Sequence, residues 1–319
     1  MKKFLVLLLL VLVAVSSFAA YDIAFIVKAT DSDFWQYTIV GAKNAEHDLN
    51  GLINITVYGP PSEADIDQQI AILENVISSG PDAIVMSSIS SDAPSALLDE
   101  AYNAGIPVVL IDNKVFNTGY TAFLATDNAK GGALAADLLI KNLQDRGIAL
   151  KGKIGLISAM AGVQVLIDRD DGFKARMSEI APSVEILPTR YIDNDISKAA
   201  NATEDLLIAN NDIIGFFADN NHSGDGVARV IQEQGLGESV ISVAYDSDPL
   251  EVEAVEMGDL KGLIVQDPHG MGYKGVMFAY MALQGESFPS YFDTGVYVIT
   301  EDDLDSAEGI LDPFTRKRY

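Results

Sequence analysis

Residues 23–35 read IAFIVKATDSDFW. The run Ile23–Val27 has no polar break, and so short a continuous apolar stretch is the mark of a strand buried on both faces, as in parallel sheets covered by helices. Directly after it the chain turns polar and then aromatic, with Ser32, Phe34 and Trp35. The same design recurs in AIVMSS (83–88), VVLIDN (108–113), GFFADNN (215–221), SVAYDSD (242–248) and GLIVQDP (262–268). Each run ends in side chains able to grip a small polar molecule: Ser87, Asp112 with Asn113, Asn220, Asp246, and Gln266. In an open parallel α/β sheet the carboxyl ends of the strands face one crevice, and ligands bind there.

Working outward, short β-branched runs alternate with amphipathic segments of helical period from Tyr21 onward, which predicts βα repeats and a parallel sheet. Further strands are expected at INITVY (53–58), YTAFLA (120–125), KIGLIS (153–158), VEILP (184–188) and GVYVI (295–299). Helices are expected over 34–50, 64–79, 93–104, 128–144, 170–180, 196–209, 224–234, 249–257 and 271–283. No single Pro/Gly-rich linker divides the chain, which fits two lobes joined by several short crossovers. A weak internal repeat supports two similar halves. DAIVMSS and AGIPVVLIDN in the first correspond to DIIGFFADNN and ESVISVAYDSD in the second, with strands ending at Asp112 and Asp246.

Residues 1–19 read as a secretory signal peptide: Lys2 and Lys3, an apolar run from Phe4 to Val15, then Ser17 and Ala19 before the cleavage point. That apolar run is short for a membrane span. The chain has no cysteine, so a lipid-modified N-terminal Cys and disulfides are both excluded, and a freely soluble periplasmic protein is expected. About 300 residues then remain, a two-domain length. The net charge of −25 becomes −27 when Lys2 and Lys3 leave with the leader. Such a surface repels nucleic acid and anionic lipid, so partners of those classes are not expected.

Enzyme signatures are missing: there is no Walker loop, no GxGxxG opening a helix, no GxSxG elbow and no HExxH. His47, His222 and His269 lack metal-ligand spacing, and Asp193–Asp195 lacks the Gly and Glu of a calcium loop. No cofactor or metal is expected. Asp112 and Asp246 could be the carboxylate pair of a glycosidase. Without other catalytic features they read better as charge-assisted acceptors for ligand hydroxyls, with helix capping as the plainer alternative. Trp35, the sole tryptophan, suits the C–H face of a sugar ring, whereas Phe34 suits a core equally well. Arg169 lies in AMAGVQVLIDRDDGFKAR (159–176), read as a loop followed by an acidic helix. Its planar fork could hold a ring oxygen and a hydroxyl, or it could pair at the surface with Asp170 or Asp171.

Taken together, DSDFW, VLIDN, LATDNAKGG, RDDGF, FFADNN, VAYDSDP and IVQDP make essentially the whole mature chain resemble the periplasmic sugar-binding proteins of ATP-driven importers, the ribose and galactose type. The resemblance implies the type I periplasmic binding protein fold: two Rossmann-like α/β lobes joined by a three-segment hinge, with crossings near Thr126, Gln266 and Gly295. The lobes would then be 20–126 plus 267–295 and 127–266 plus 296–319. It implies capture of a monosaccharide or related polyol and delivery to the membrane permease of an ABC transporter, with a chemoreceptor as a further class of partner. Carried over by position, Phe34 and Trp35 match the first-lobe aromatic pair, Asp112 the sugar-binding Asp, Arg169 the second-lobe Arg, Asn220 its Asn, Asp246 the second Asp and Gln266 the Gln near the hinge. Ser32, Ser87 and Thr126 match further polar positions, and Met160 an apolar contact.

There are departures. Ribose binders carry Arg where this chain has Asn113, Asn where Ser32 and Ser87 stand, and a second-lobe ring near Asn194. Tyr191 or Tyr245 could fill that last gap. The differences predict a ligand other than D-ribose, and they leave room for another polyhydroxylated ligand such as a furanone-type signal. A periplasmic glycosidase is the rival from another class. A sugar-sensing gene regulator would need a helix-turn-helix where the signal peptide stands.

Overall fold

The computed structural model describes residues 20–319, and the expected signal peptide, residues 1–19, lies outside the described residues. Among the described residues the chain builds two sheets, each covered by helices on both faces. The first contains β1 (Tyr21–Ile26), β2 (Ile53–Tyr58), β3 (Ala83–Met86), β4 (Val108–Ile111), β5 (Ala122–Ala125) and the late strand β12 (Tyr291–Asp293), in the order β12-β5-β4-β3-β1-β2. All of its pairings are parallel. Its helices are α1 (Asp33–Asp48), α2 (Ile66–Ser79), α3 (Ser95–Asn103) and the late α9 (Pro268–Gln284), which packs along α1.

The second sheet holds β6 (Gly152–Ser158), β7 (Val184–Ile186), β9 (Ile213–Ala218), β10 (Ile241–Tyr245), β11 (Leu263–Gln266) and β13 (Val296–Ile299), in the order β13-β11-β10-β9-β6-β7, with the two-residue β8 (Arg190–Tyr191) beside the end of β6. Its helices are α4 (Asn128–Asp145), α5 (Gln164–Ile180), α6 (Ile196–Ala209), α7 (Asn221–Glu233), α8 (Pro249–Glu256) and the short α10 (Glu308–Leu311). The strands β3, β4, β10 and β11 are buried throughout, as their unbroken apolar runs require. The strand order reverses between β1 and β3 in one sheet and between β6 and β9 in the other, and a crevice opens at such points.

Three segments cross between the sheets: β5 to α4, β11 to α9, and β12 to β13. Sequence chemistry fixes where the helices start. Asp127 caps α4 by accepting the Lys130 N–H at 3.0 Å, Asp267 caps α9 through the Gly270 N–H at 2.7 Å with Pro268 in the first turn, and Asn220 caps α7 through the Ser223 N–H at 3.0 Å. Neither Asp112 nor Asp246 is a cap.

Four features differ from the sequence reading. Strand β13 runs antiparallel to β11, and the short β8 and β12 carry no sequence signal of their own. Helix α5 starts at Gln164 rather than near 170, because Gly162 and β-branched Val163 and Val165 disguise its first turn. Arg169 is therefore in a helix, not a loop. Finally, the tail does not stay with the second lobe. Leu311 is in the second-lobe core, but Phe314 then packs edge-on against Tyr37 of α1 at 5.0 Å. Asn44 of α1 holds the next residues with both ends of its amide, donating to the Arg316 carbonyl at 2.9 Å and accepting the Arg318 N–H at 2.9 Å. From about Pro313 the tail thus contacts the first lobe as well, a fourth tie between the lobes.

Candidate ligand-binding site

The carboxyl ends of both sheets face one cavity, with about 450 Å³ of space between atoms that is partly open to solvent. The first lobe contributes Lys28, Phe34, Trp35, Glu63 and Asp112, and the second Ala159, Met160, Val163, Val165, Leu166, Arg169, Asn220, Asn221, Asp246 and Gln266.

Asp112 and Asp246 occupy equivalent places, one residue past β4 and β10. Both have left-handed backbone, with φ of 60° and 86°. A non-glycine residue there carries a strain of order 1–3 kcal/mol, which persists where surroundings over-determine it and concentrates in binding sites. Backbone bonds from the Asp112 N–H to Leu124 at 2.8 Å and from the Asp246 N–H to Ile264 at 2.9 Å fix the two turns. The Asp112 Oδ2 accepts the Lys28 ammonium at 2.6 Å and the Ser87 hydroxyl at 3.1 Å. The Asp246 Oδ1 accepts the Gln266 amide at 2.7 Å. Burial raises the pKa of the Asp246 carboxyl, and the Arg169 guanidinium pulls it back.

Arg169 is positioned from all sides. Its Nε donates to Asn128 Oδ1 at 2.8 Å, its Nη1 to the Asp219 carbonyl at 2.8 Å, and its guanidinium lies 3.8 Å over the Tyr245 ring. Helices α4 and α5 can bring it here because they cross backbone to backbone. A methyl group on Gly132 would overlap the Arg169 carbonyl, and one on Gly172 the Ala129 carbonyl. Asp219, just past β9, accepts the Ala159 N–H at 3.0 Å, and burial pushes its carboxyl up to about 8.

On the opposite wall Phe34 and Trp35 meet edge to face at 4.8 Å, and Lys28 Nζ is 5.5 Å from the indole centroid. The indole N–H donates to Glu63 Oε1 at 2.6 Å. Beneath this wall, buried Gln69 of α2 donates to the carbonyls of Val27 at 3.0 Å and Ser87 at 2.9 Å, tying the ends of β1 and β3 together. The lobes touch at the cavity rim, where Asn221 donates to Ser32 Oγ at 3.2 Å and to Asp248 Oδ2 at 2.9 Å.

Of the residues singled out in the sequence, Phe34, Trp35, Asp112, Met160, Arg169, Asn220, Asp246 and Gln266 line the cavity. The others stand behind or beside it. Ser32 forms the bond between the lobes, and Ser87 orients Asp112. Asn113 is buried, donating to the Ser88 carbonyl at 2.9 Å and shaping that loop. Thr126 is at a hinge crossing, its hydroxyl donating to the Gly295 carbonyl at 3.4 Å. Asn194 accepts the Asn220 amide at 2.7 Å. Tyr245 is fully buried under Arg169, and Tyr191 is exposed. Neither tyrosine replaces the missing second-lobe ring. The aliphatic cluster of Met160, Val163, Val165 and Leu166 takes that side instead. Lys28, Glu63 and Asn221 escaped the sequence reading, although Lys28 ends the opening apolar run and Asn221 follows Asn220.

Residues 23–287 match the model of the periplasmic binding protein domain. The ribose import binding protein of Haemophilus influenzae is 27% identical over 305 residues, covering 94% of this chain and 100% of that protein. Among solved structures, a carbohydrate transporter solute-binding protein from Agrobacterium radiobacter, in complex with D-arabinose, superposes with a TM-score of 0.89 at 32% identity, covering 93% of this chain and 100% of that one. An ABC transporter solute-binding protein from Agrobacterium vitis with bound D-fucose gives 0.85 at 33%, covering 91% and 99%. The chain belongs to the periplasmic binding protein family, and its two α/β lobes have the type I fold of these structures.

Proposed function

We propose that the protein captures a neutral monosaccharide, or a related polyol, between its lobes in the periplasm and hands it to the membrane permease of an ABC transporter. The observation that carries this reading is the balance of charge in the cavity. Lys28 is engaged by Asp112 at 2.6 Å, and Arg169 lies beside Asp246, whose carboxyl it stabilises. Two cations, Lys28 and Arg169, face three carboxylates, Glu63, Asp112 and Asp246, in the lining, a formal excess of one negative charge that disfavours a phosphate or carboxylate, whereas carboxylates, amides and an indole suit hydroxyls and the C–H face of a ring. Binding is favoured over hydrolysis because both aspartates are tethered to neighbours on their own lobe. The ligand favours the closed form because only there do both walls reach it.

Relatives described as binding ribose, D-arabinose and D-fucose support the class of ligand. The aliphatic cluster of Met160, Val163, Val165 and Leu166, on the side where ribose binders carry a second-lobe ring, favours a sugar other than D-ribose. A thermal-shift screen of pentoses, hexoses, 6-deoxyhexoses and polyols tests the reading. A ligand at 100 times its Kd stabilises by about 2.7 kcal/mol, and no shift with any neutral compound would refute it. Release of product from sugar glycosides over hours would favour the hydrolase.

A further inference from the structure

Glu63 belongs to no strand end and to no motif. It is half-buried in the loop between β2 and α2, and it reaches the first-lobe wall from 28 residues beyond Trp35 in the chain. One carboxylate oxygen accepts the indole N–H at 2.6 Å. The residue also lines the cavity, and its second oxygen has no protein hydrogen bond among the described residues. The indole is thereby held between an anion at its N–H edge and the Lys28 ammonium 5.5 Å from its centroid. The five ionisable groups that line the cavity are Lys28, Glu63, Asp112, Arg169 and Asp246. Lys28 pairs with Asp112 at 2.6 Å, and with two cations against three carboxylates the lining has a formal excess of one negative charge, to which Glu63 contributes.

We infer that Glu63 is a positioning and specificity residue: it fixes the rotamer of Trp35 and presents a free carboxylate oxygen to the ligand, admitting hydroxyl groups and rejecting anionic sugars. This rests on the sugar-binding reading above. An N–H bond to an ionised acceptor is about twice as strong as a neutral one, and like charges brought together in a desolvated site are strongly disfavoured.

The experiment compares wild type, Glu63→Gln and Glu63→Ala. Indole emission is read without sugar, and calorimetry is run with D-arabinose, D-fucose and D-galacturonate. The Glu63–Trp35 bond lies within one lobe, so opening the cleft does not require it to break. Glu63→Ala should therefore shift the emission of the sugar-free protein, and Glu63→Gln, which keeps a carbonyl acceptor, should restore it. In wild type the neutral sugars should bind at least a hundredfold more tightly than D-galacturonate. Glu63→Gln should shrink that ratio about tenfold or more by removing the like charge. Unchanged emission in Glu63→Ala, or an unchanged neutral-to-anionic ratio in Glu63→Gln, overturns the inference alone when wild type binds a neutral sugar. If wild type binds neither neutral sugar, the same comparison is run with the tightest neutral ligand of the thermal-shift screen, and only if no neutral sugar or polyol binds does the functional reading fall, and the inference with it.

Discussion

Replacing Lys28 by Met should expose how the site divides its free energy between folding and binding. In the closed protein the Lys28 and Asp112 side chains are only 5% and 4% exposed, with the ammonium 2.6 Å from the carboxylate. Removing one member of a buried pair leaves the other charge desolvated and alone, at a cost of about 3–5 kcal/mol. With the cleft open the same pair borders water, and the cost moves toward the ~1 kcal/mol ceiling of an exposed pair. Lys28→Met should therefore destabilise the ligand-free protein by an amount between those limits and weaken the closed, liganded form by more. Asp112→Asn should behave alike, and the double variant should recover much of the lost stability because no unpaired charge remains. Its affinity should stay about ten- to a hundredfold below wild type, because the charge-assisted bonds from Asp112, roughly 1.5–3 kcal/mol, are gone. Urea unfolding with and without sugar, combined in a double-mutant cycle, measures both terms. Strictly additive single effects, or a Lys28→Met protein with wild-type stability and affinity, would refute the reasoning.

Gly132→Ala should cost about 1–3 kcal/mol through overpacking of α4 on α5 and should weaken binding by displacing Arg169; a variant with normal Tm and Kd contradicts the placement. Deleting residues 313–319 removes the Phe314–Tyr37 contact and both Asn44 bonds. It should lower Tm and widen the ligand-free opening seen by small-angle scattering, and identical curves would show that the tail ties nothing. Thermal stability should rise as pH falls from about 8.5 to 6.5. Burial raises the carboxyl pKa of Asp219 to about 8, of Asp225 to about 7 and of Asp248 to about 6, so the folded state binds protons that the unfolded chain does not hold until near pH 4. His269 opposes this below about pH 6.5, since burial lowers it to about 4 and its charging then favours the unfolded chain. A Tm that climbs steadily from pH 6.5 to 8.5 would contradict these assignments.

The parallel strands were legible because burial on both faces demands unbroken apolar runs, and Asp112, Asp246 and Gln266 because they end such runs. What the sequence concealed has physical reasons. A lysine after an apolar run looks like a solvated strand end, yet Lys28 is buried against Asp112. Glu63 joins the wall only through tertiary folding. Val163, Val165 and Leu166 carry no polar group to mark them as site residues, although they line the cavity. The left-handed backbone at Asp112 and Asp246 leaves no trace in residue type, since aspartate tolerates many turns. Asn113 looked like a ligand contact because it follows Asp112, but the turn that aims Asp112 into the cleft sends Asn113 back toward Ser88.

The most direct test of the central claim is calorimetry of the wild-type protein against neutral pentoses, hexoses, 6-deoxyhexoses and polyols, with D-ribose included. One neutral monosaccharide or polyol should bind with a stoichiometry of one, more tightly than D-ribose, and lose about ten- to a hundredfold in affinity in each of Asp112→Ala and Asp246→Ala. A folded protein that binds no neutral sugar or polyol, or whose affinity survives both substitutions, would contradict it.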